Sequence, residues 1–534
     1  MERPGLWPGC FAVLAEKGGP GDCFPFFYIP STVWKQVGIM IRPIVPERRD
    51  FMIRKLFAMT AGAALLLSLA GCQAAQEGGV QPEEHLLSLA DNGVSLDHKP
   101  VAEDSEPVTV GHEIIYYQAG QGSGYGEGSD QEAHDPQEAR EHTVVTIRQP
   151  GTYRVTGTLS LGQLAVDLGE GSERDPDAVV ALVLDNASIT CTVAPALIFY
   201  NVYECDTAWM AAEEGYSGPA VVDTSAAGAR IVLAEGSENT MTGSHVAKIY
   251  QPGTTKKLHK YDGAVYSRMS MNLDGEGEGT GVLRVVADNE GLDSELHLTI
   301  NGGYIAIQAQ NDGINTNEDG VSVTTINGAT LEINAGLGAE GDGIDSNGHL
   351  VINGGNVYAM ASAESMDSGL DADGEVRING GYVVALGNMS QPVSENSAQR
   401  ALQYTLGQSA PAQAQMEILD AGGETVLSFE TEKACRNLLF SSPDLGKDED
   451  YTLTVDGVAQ AAGDGPQGSP PEGFPGGGRP PEEMGGRRET PAPPEGLEEW
   501  LAAEDGIPQE IRSWLEELLE FSRAGGAPAP PSGP

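Results

Sequence analysis

The chain is poor in aromatic residues and in positive charge. Aromatics make up 6% of it, and 30 Lys and Arg stand against 78 Asp and Glu, a net charge of −48. Few aromatics with 70 glycines in 534 residues argue against a helical core and for many short strands joined by turns. The shortage of positive charge argues against nucleic acid as a partner, because phosphate binding needs clustered Lys and Arg. Such a chain suits cations or neutral ligands, and an anionic ligand needs a bridging cation. The competing reading of the charge is solubility alone. Between residues 281 and 390 there is no Lys, and apart from His the only basic side chains are Arg284 and Arg377. No CxxC or Cys/His spacing points to zinc. No segment supplies a full EF-hand loop. The calcium nonapeptide is missing too, since GDGIDS does not recur every nine residues.

The N-terminal region carries an address. In MIRKLFAMTAGAALLLSLAGC (52–72), Arg54 and Lys55 precede an apolar run from Leu56 to Leu69. Leu69-Ala70-Gly71-Cys72 resembles a bacterial lipobox, which implies cleavage before Cys72 and lipid on its sulfur. The competing reading is an uncleaved anchor, for which the apolar run is short. Residues 52–71 are thus expected to be a signal peptide and residues 1–51 a mis-assigned upstream segment, with translation starting at Met52. The expected location is extracellular, on the membrane through the lipid alone. Cys191 and Cys205 can pair after export, or stay as buried thiols.

An internal repeat sets the fold. Ile300-Asn301-Gly302-Gly303 recurs as Ile326-Asn327-Gly328-Ala329, Ile352-Asn353-Gly354-Gly355 and Ile378-Asn379-Gly380-Gly381, each 26 residues after the last. Columns Ile305/Leu331/Val357/Val383 and Ile307/Ile333/Ala359/Ala385 alternate with outward positions, a strand period. Leu298/Thr324/Leu350/Val376 form another inward column before the turn. The columns fit an all-β parallel β-helix, a solenoid with rungs of about 26 residues. Asn301, Asn327, Asn353 and Asn379 are expected to stack at a corner. GTYRVTGTL (151–159), 182–189 and 229–242 read as less regular rungs. A loop from Lys248 to Lys260 interrupts them, with Lys256, Lys257 and Lys260 as a local basic spot.

The expected organisation is a tether at 72–105, the solenoid at 106–390, and a small β element capping its end at 391–463. A Pro/Gly linker at 464–494, a short amphipathic helix within 495–523 and a tail at 524–534 follow.

One corner is acidic. NEGLDS (289–294), NDGINT (311–316), GDGIDS (341–346) and DSGLDA (367–372) share the glycines Gly291, Gly313, Gly343 and Gly369. Two residues later come Asp293, Asn315, Asp345 and Asp371, and before the glycines come Glu290, Asp312, Asp342 and Asp367. Rungs lie about 4.8 Å apart. Carboxylates at that spacing repel by roughly 3.5 kcal/mol at an effective dielectric of 20. Stacking them gains nothing unless something neutralises them. Oxygen ligands and tight turns favour Ca²⁺ over softer metals. The candidate ligands are Asp293, Asp312, Asn315, Asp342, Asp345, Asp367 and Asp371. The competing reading is a solvated turn in which Asp and Asn serve their own backbone. His297 and His349 share a column with Val323 between them and read as surface strand residues. Tyr304 and Tyr382 share an outward column, with Tyr358 in the next. They are candidate stacking platforms for sugar, or ordinary strand residues.

The DGID corners, the INGG turns, GTYRVTGTL, LAEGSENTMTG (233–243), DGAVYSRMSMNLDGEGEG (262–279) and LLFSSPDLGKDEDYTL resemble the bacterial carbohydrate-binding-domain proteins over about residues 106–460. The resemblance implies an exported, calcium-binding, right-handed β-helix shaped like pectate lyases, adhering to plant cell-wall polysaccharide such as polygalacturonate or cellulose. Asp342-Gly343-Ile344-Asp345 is similar to the D-D-G-x-D calcium cluster of family-nine polysaccharide lyases, with Gly341 in place of the first Asp. A lyase of this architecture needs a Lys or Arg base; of the two arginines here, Arg377 lies on an outward strand position and stays open as that base. The expectation is therefore a monomeric binder of polysaccharide. A pectate-type lyase is the runner-up, and a structural adhesin with a protein partner is the third reading.

Overall fold

The computed structural model describes residues 84–117, 133–212, 215–246, 249–250 and 257–460, all within a unit spanning Met1–Ser469. The signal peptide, Cys72, the start of the tether, the Pro/Gly linker and the C-terminal helix lie outside the described residues. The fold is all-β, and its few helices are short (Pro136–Glu141, Thr207–Met210 and the 3-10 turn Ser172–Arg174). Most strand pairs are parallel.

Three runs of parallel strands carry the repeat. Met271–Gly275, Leu298–Ile300, Val323–Ile326, His349–Ile352 and Val376–Ile378 pair in sequence order. After each Asn-Gly turn, Val282–Ala287, Tyr304–Ala309, Thr330–Asn334, Asn356–Met360 and Tyr382–Gly387 do the same. The third run corresponds to the acidic corner of the sequence repeat. It is a sheet of its own, in which Gly263–Ser267, Glu290–Ser294, Ile314–Thr316 and Ile344–Ser346 pair in parallel.

The partners match the sequence columns. Ile305 pairs with Leu331, Leu331 with Val357 and Val357 with Val383. Ile300, Ile326, Ile352 and Ile378 are fully buried. Each such side chain contributes about 1.5–3 kcal/mol by leaving water. Thr324, the polar member of an inward column, shares its hydroxyl with Thr316, which in turn donates to Ser346. The buried hydroxyls are thus paired with one another rather than left unsatisfied.

The asparagine stack forms as expected. Asn327 Nδ2 donates to Asn301 Oδ1 at 2.8 Å, Asn353 to Asn327 at 2.8 Å and Asn379 to Asn353 at 2.9 Å. Asp274 accepts from Asn301 at one end, and the Ala398 amide donates to Asn379 at the other. Asn353→Ala breaks two links of this exposed ladder and is expected to cost about 1 kcal/mol. A urea midpoint unchanged by the substitution would remove the ladder from the account of stability.

One boundary differs from the sequence reading. The tether was expected to run to residue 105, but Glu84–Leu89 pairs in parallel with Gly151–Leu159 and buries Leu87 and Leu89. Six residues with two inward leucines are enough to add a strand to an existing edge. At the other end, Cys435–Ser441 runs antiparallel to Tyr382–Gly387, and a four-stranded sheet is built from the segments on either side of it in the chain, Gln415–Asp420 and Thr425–Glu430 before it and Tyr451–Val455 and Val458–Ala459 after it. Met416, Ile418, Phe429 and Leu453 of that sheet form a second core with Met360 and Leu386. Cys191, Cys205 and Cys435 are free thiols, Cys191 and Cys435 buried.

Candidate functional site

The third sheet presents its acidic residues as a grid. Asp293 pairs with Asn315, Asn315 with Asp345, and the bridge from Ile344 to Leu370 sets Asp371 beside Asp345. Residues two apart in a strand share a face. Glu295, Asn317, Asn347 and Asp373 therefore make a parallel column. Sequence reading missed it, although D-S-E, N-T-N, D-S-N and D-A-D repeat the signal at that offset. Glu290, Asp312 and Asp342 flank the grid on the other side. Of the seven predicted ligands, Asp293, Asn315, Asp345 and Asp371 thus come from successive rungs in one column.

At the Glu290 end, hydrogen bonds join the side chains of Glu290, Asn315, Asn317, Asp293 and Lys260. Asn315 Nδ2 donates to Glu290 Oε1 at 3.0 Å and to Asn317 Oδ1 at 3.4 Å. Asn317 Nδ2 donates to Asp293 Oδ1 at 2.5 Å. Lys260 Nζ donates to Asn317 Oδ1 at 2.7 Å. Glu295 Oε1 accepts from the Lys260 amide and the Tyr266 hydroxyl, both at 2.7 Å. Glu290, Asp293 and Asn315 are 5%, 0% and 2% exposed. Glu290 Oε2, Asp293 Oδ2 and Asn315 Oδ1 nevertheless meet no hydrogen-bond donor among the described residues. Three buried acceptors with nothing to accept from are costly.

Burial, then the Glu290, Asp262 and Glu295 carboxylates, push the Asp293 carboxyl well above the usual carboxylate range, with Lys260 acting the other way. Burial followed by Glu290 and Asp342 raises Asp312. Burial followed by Asp371 raises Asp342. For Lys260, burial acts to lower the ammonium, but the Glu290, Asp262, Asp293 and Glu295 carboxylates outweigh it and the net shift is upward.

At the other end the carboxylates hold backbone. Asp312 Oδ1 accepts from the Asp342 amide at 2.7 Å, and Asp342 Oδ1 from the Ser368 amide at 2.6 Å. Asp367 Oδ2 accepts from the Gly341 amide at 2.6 Å and from the Ser365 hydroxyl. Part of the competing turn reading is therefore present beside the grid. Among the described residues, no three His, Cys, Asp or Glu side chains already meet as a metal-binding group. The cradle instead mixes carboxylates with asparagine amides, a hard-oxygen donor set suited to Ca²⁺.

Several other expectations change. Lys260, read as part of a local basic spot, is 6% exposed and sits within the acidic face. Distance in the chain hid it, because it lies upstream of the regular repeat. His297 is not a surface residue. It is fully buried, its Nδ1 accepting from the Val323 amide at 3.1 Å and its Nε2 donating to Asp206 at 3.3 Å. Half-buried His349 accepts from the Glu375 amide at 2.9 Å in the same way. Both rings serve the backbone between rungs.

The tyrosines lie on a different run from the acidic grid. Thr330 and Asn356 separate Tyr304 from Tyr382, which places them about 14 Å apart. Tyr304 donates to Glu332, and Tyr382 to Asp444 at 2.5 Å. Tyr358 packs at about a right angle against Phe429 with its hydroxyl buried, so the C-terminal sheet packs against this expected stacking platform. Arg377 is tied to Glu375 at 2.5 Å.

A family model described as "Carbohydrate-binding domain-containing protein" matches residues 141–217 and 211–426. A carbohydrate-binding domain-containing protein of Acetivibrio thermocellus is 29% identical over 166 residues, which is 31% of this chain and 45% of the relative. The chain thus spans about half the length of that relative. Among solved structures, the polysaccharide lyase-like protein from C. thermocellum, in a gadolinium derivative, is 22% identical with a TM-score of 0.32. That match covers 56% of this chain and 94% of the other.

Proposed function

The chain belongs to the family of carbohydrate-binding domain-containing proteins, and from that premise we propose that it is a calcium-dependent polysaccharide-binding protein of the cell surface. In this reading the three parallel runs are the walls of a right-handed β-helix, and Cys72 carries a lipid that holds the protein on the membrane. The observation that carries the calcium dependence is the set of buried acceptors without donors, Glu290 Oε2, Asp293 Oδ2 and Asn315 Oδ1. A divalent cation satisfies such atoms, and it offsets the repulsion between stacked carboxylates. The cation also bridges an acidic sugar to an acidic protein, which accounts for a polygalacturonate-like ligand despite the net charge of −48.

Lys260 bears on the choice between binder and lyase. A basic side chain beside a carboxylate cradle is the arrangement a lyase needs. A general base must lose its proton near the working pH, however, and the carboxylates around Lys260 hold its proton more firmly. Binding without turnover is the better reading. Incubation with polygalacturonate and calcium is expected to produce no unsaturated-uronide absorbance; a steady rise would favour the lyase. Pull-down on insoluble polysaccharide is expected to capture the protein in calcium and lose it in chelator. Capture indifferent to chelator would remove calcium from the binding reaction, and no capture on any polysaccharide would favour a protein partner.

A further inference from the structure

We infer that Arg268 is a recognition site for the carboxylate of an acidic sugar, set beside the cation cradle on the same face, and that it selects uronate over esterified or neutral sugar. This rests on the polysaccharide reading above.

Arg268 follows the strand Gly263–Ser267 and lies two residues past Tyr266. Tyr266 pairs with Asp293, so Arg268 and the acidic grid share a face of the sheet. From the strand spacing, its Cα stands about 8 Å from that of Asp293. Tyr200 and Glu295 flank it, each one residue past a partner of Ser267. Tyr200 meets Tyr261 in a T-shaped contact at 5.7 Å, and Tyr261 meets Tyr266 in another at 4.9 Å. The Tyr266 hydroxyl donates to Glu295. Ring contacts and a hydrogen bond thus lead from the flank of Arg268 to the cradle.

The guanidinium is half-buried and only partly used. Its Nη1 donates to Asn201 Oδ1 at 3.1 Å, while its Nε is buried and meets no acceptor among the described residues. A buried N–H without an acceptor is costly. The acids beside it are engaged elsewhere. Asp167 accepts from Arg148 at 3.4 Å and from Asn201 Nδ2 at 2.6 Å, and Glu295 from the Lys260 amide and Tyr266. Arg154 shows what this acidic chain does with a structural arginine: it pairs it with Glu84, Asp185 and Glu276. Arg268 is instead oriented by an amide, itself fixed by Asp167, before any ligand arrives. The Nε and Nη2 edge of a guanidinium takes a carboxylate in a two-point contact. A sugar carboxylate there satisfies Nε, and an ester brings no charge to it. One acidic sugar then meets the cation, and a neighbouring one meets Arg268.

Titration calorimetry on the full-length protein in calcium, with tetragalacturonate and its fully methyl-esterified form as probes, tests this. The parent is expected to bind the acid form and to lose most of that affinity on esterification. Arg268→Gln is expected to weaken the acid form about tenfold or more, as the loss of a charge-assisted hydrogen bond implies. It is expected to leave the ester, and calcium uptake without sugar, as in the parent. Arg284→Gln makes the same change in net charge at an exposed residue of another run and is expected to bind as the parent does. Unchanged affinity for the acid form in Arg268→Gln, or equal weakening in Arg284→Gln, would overturn the inference while leaving the polysaccharide reading intact. Equal weakening of acid and ester would reduce Arg268 to packing and overturn it too. If Arg268→Gln does not fold, Arg268→Lys, which keeps the charge without the planar fork, carries the test. A weaker acid form with an unchanged ester then supports the inference, and an unchanged acid form overturns it. Parent protein that takes up calcium and binds neither probe would overturn the acidic-sugar ligand and the inference together.

Discussion

Chelator-stripped protein is expected to melt at least about 5 °C below the same protein in calcium. One ion at 100 times its dissociation constant adds about 2.7 kcal/mol, and in a domain of this size each kcal/mol moves the melting point by about 2 °C. The acidic face makes the stripped protein sensitive to pH in a definite direction. Asp293, Asp312 and Asp342 are raised above the ordinary carboxylate range first by burial and then by neighbouring carboxylates, Glu290 for Asp293 and Asp312 and Asp371 for Asp342. A raised carboxyl favours folding while it is protonated, below its unfolded-state pKa. That contribution is lost as pH rises through the folded-state value. Stability of the stripped protein is therefore expected to fall as pH climbs from the ordinary carboxylate range toward neutrality. Calcium replaces the protons and flattens the trend. Urea midpoints measured across pH, with chelator and with calcium, separate the two curves. Parallel curves would mean that no ion enters the face.

Gly313→Ala is expected to destabilise the fold by about 3 kcal/mol. The corner glycines were read as turn residues, but Gly313 needs no left-handed backbone. It needs the absence of a Cβ, which would lie 2.2 Å from Ile333 Cγ2 and 2.6 Å from the Gly343 carbonyl oxygen. Gly291 and Gly343 are similarly close to the backbone oxygens of Gly313 and Gly369. The acidic sheet presses against the core and its neighbouring rung at this column, so an added methyl pushes Asn315 away from Glu290. Chemical denaturation reads the stability, and calcium affinity is expected to fall with it. Gly407→Ala, where a Cβ meets nothing within 4 Å, is the neutral control. A Gly313→Ala protein as stable as that control would show that the rungs are looser than their spacing implies.

The sequence alone determined the repeat, its register and the inward columns. A side chain buried in every rung must recur at a fixed step, and Ile300, Ile326, Ile352 and Ile378 do so. It determined the asparagine stack for the same reason: identical residues at identical corners meet. It also placed Asp293, Asn315, Asp345 and Asp371 in one column, because their local pattern repeats with the rungs. Tertiary structure alone decided what meets the column from outside the repeat. Lys260 comes from an irregular upstream segment, and no period predicts where its ammonium goes. Asp206 reaches the His297 ring from far upstream and makes a strand histidine a buried one. Phe429 covers Tyr358 from the C-terminal sheet. Periodicity reports the burial that a strand shares with its copies. Contacts between unlike segments leave no period, and the charge balance of the acidic face depends on one of them.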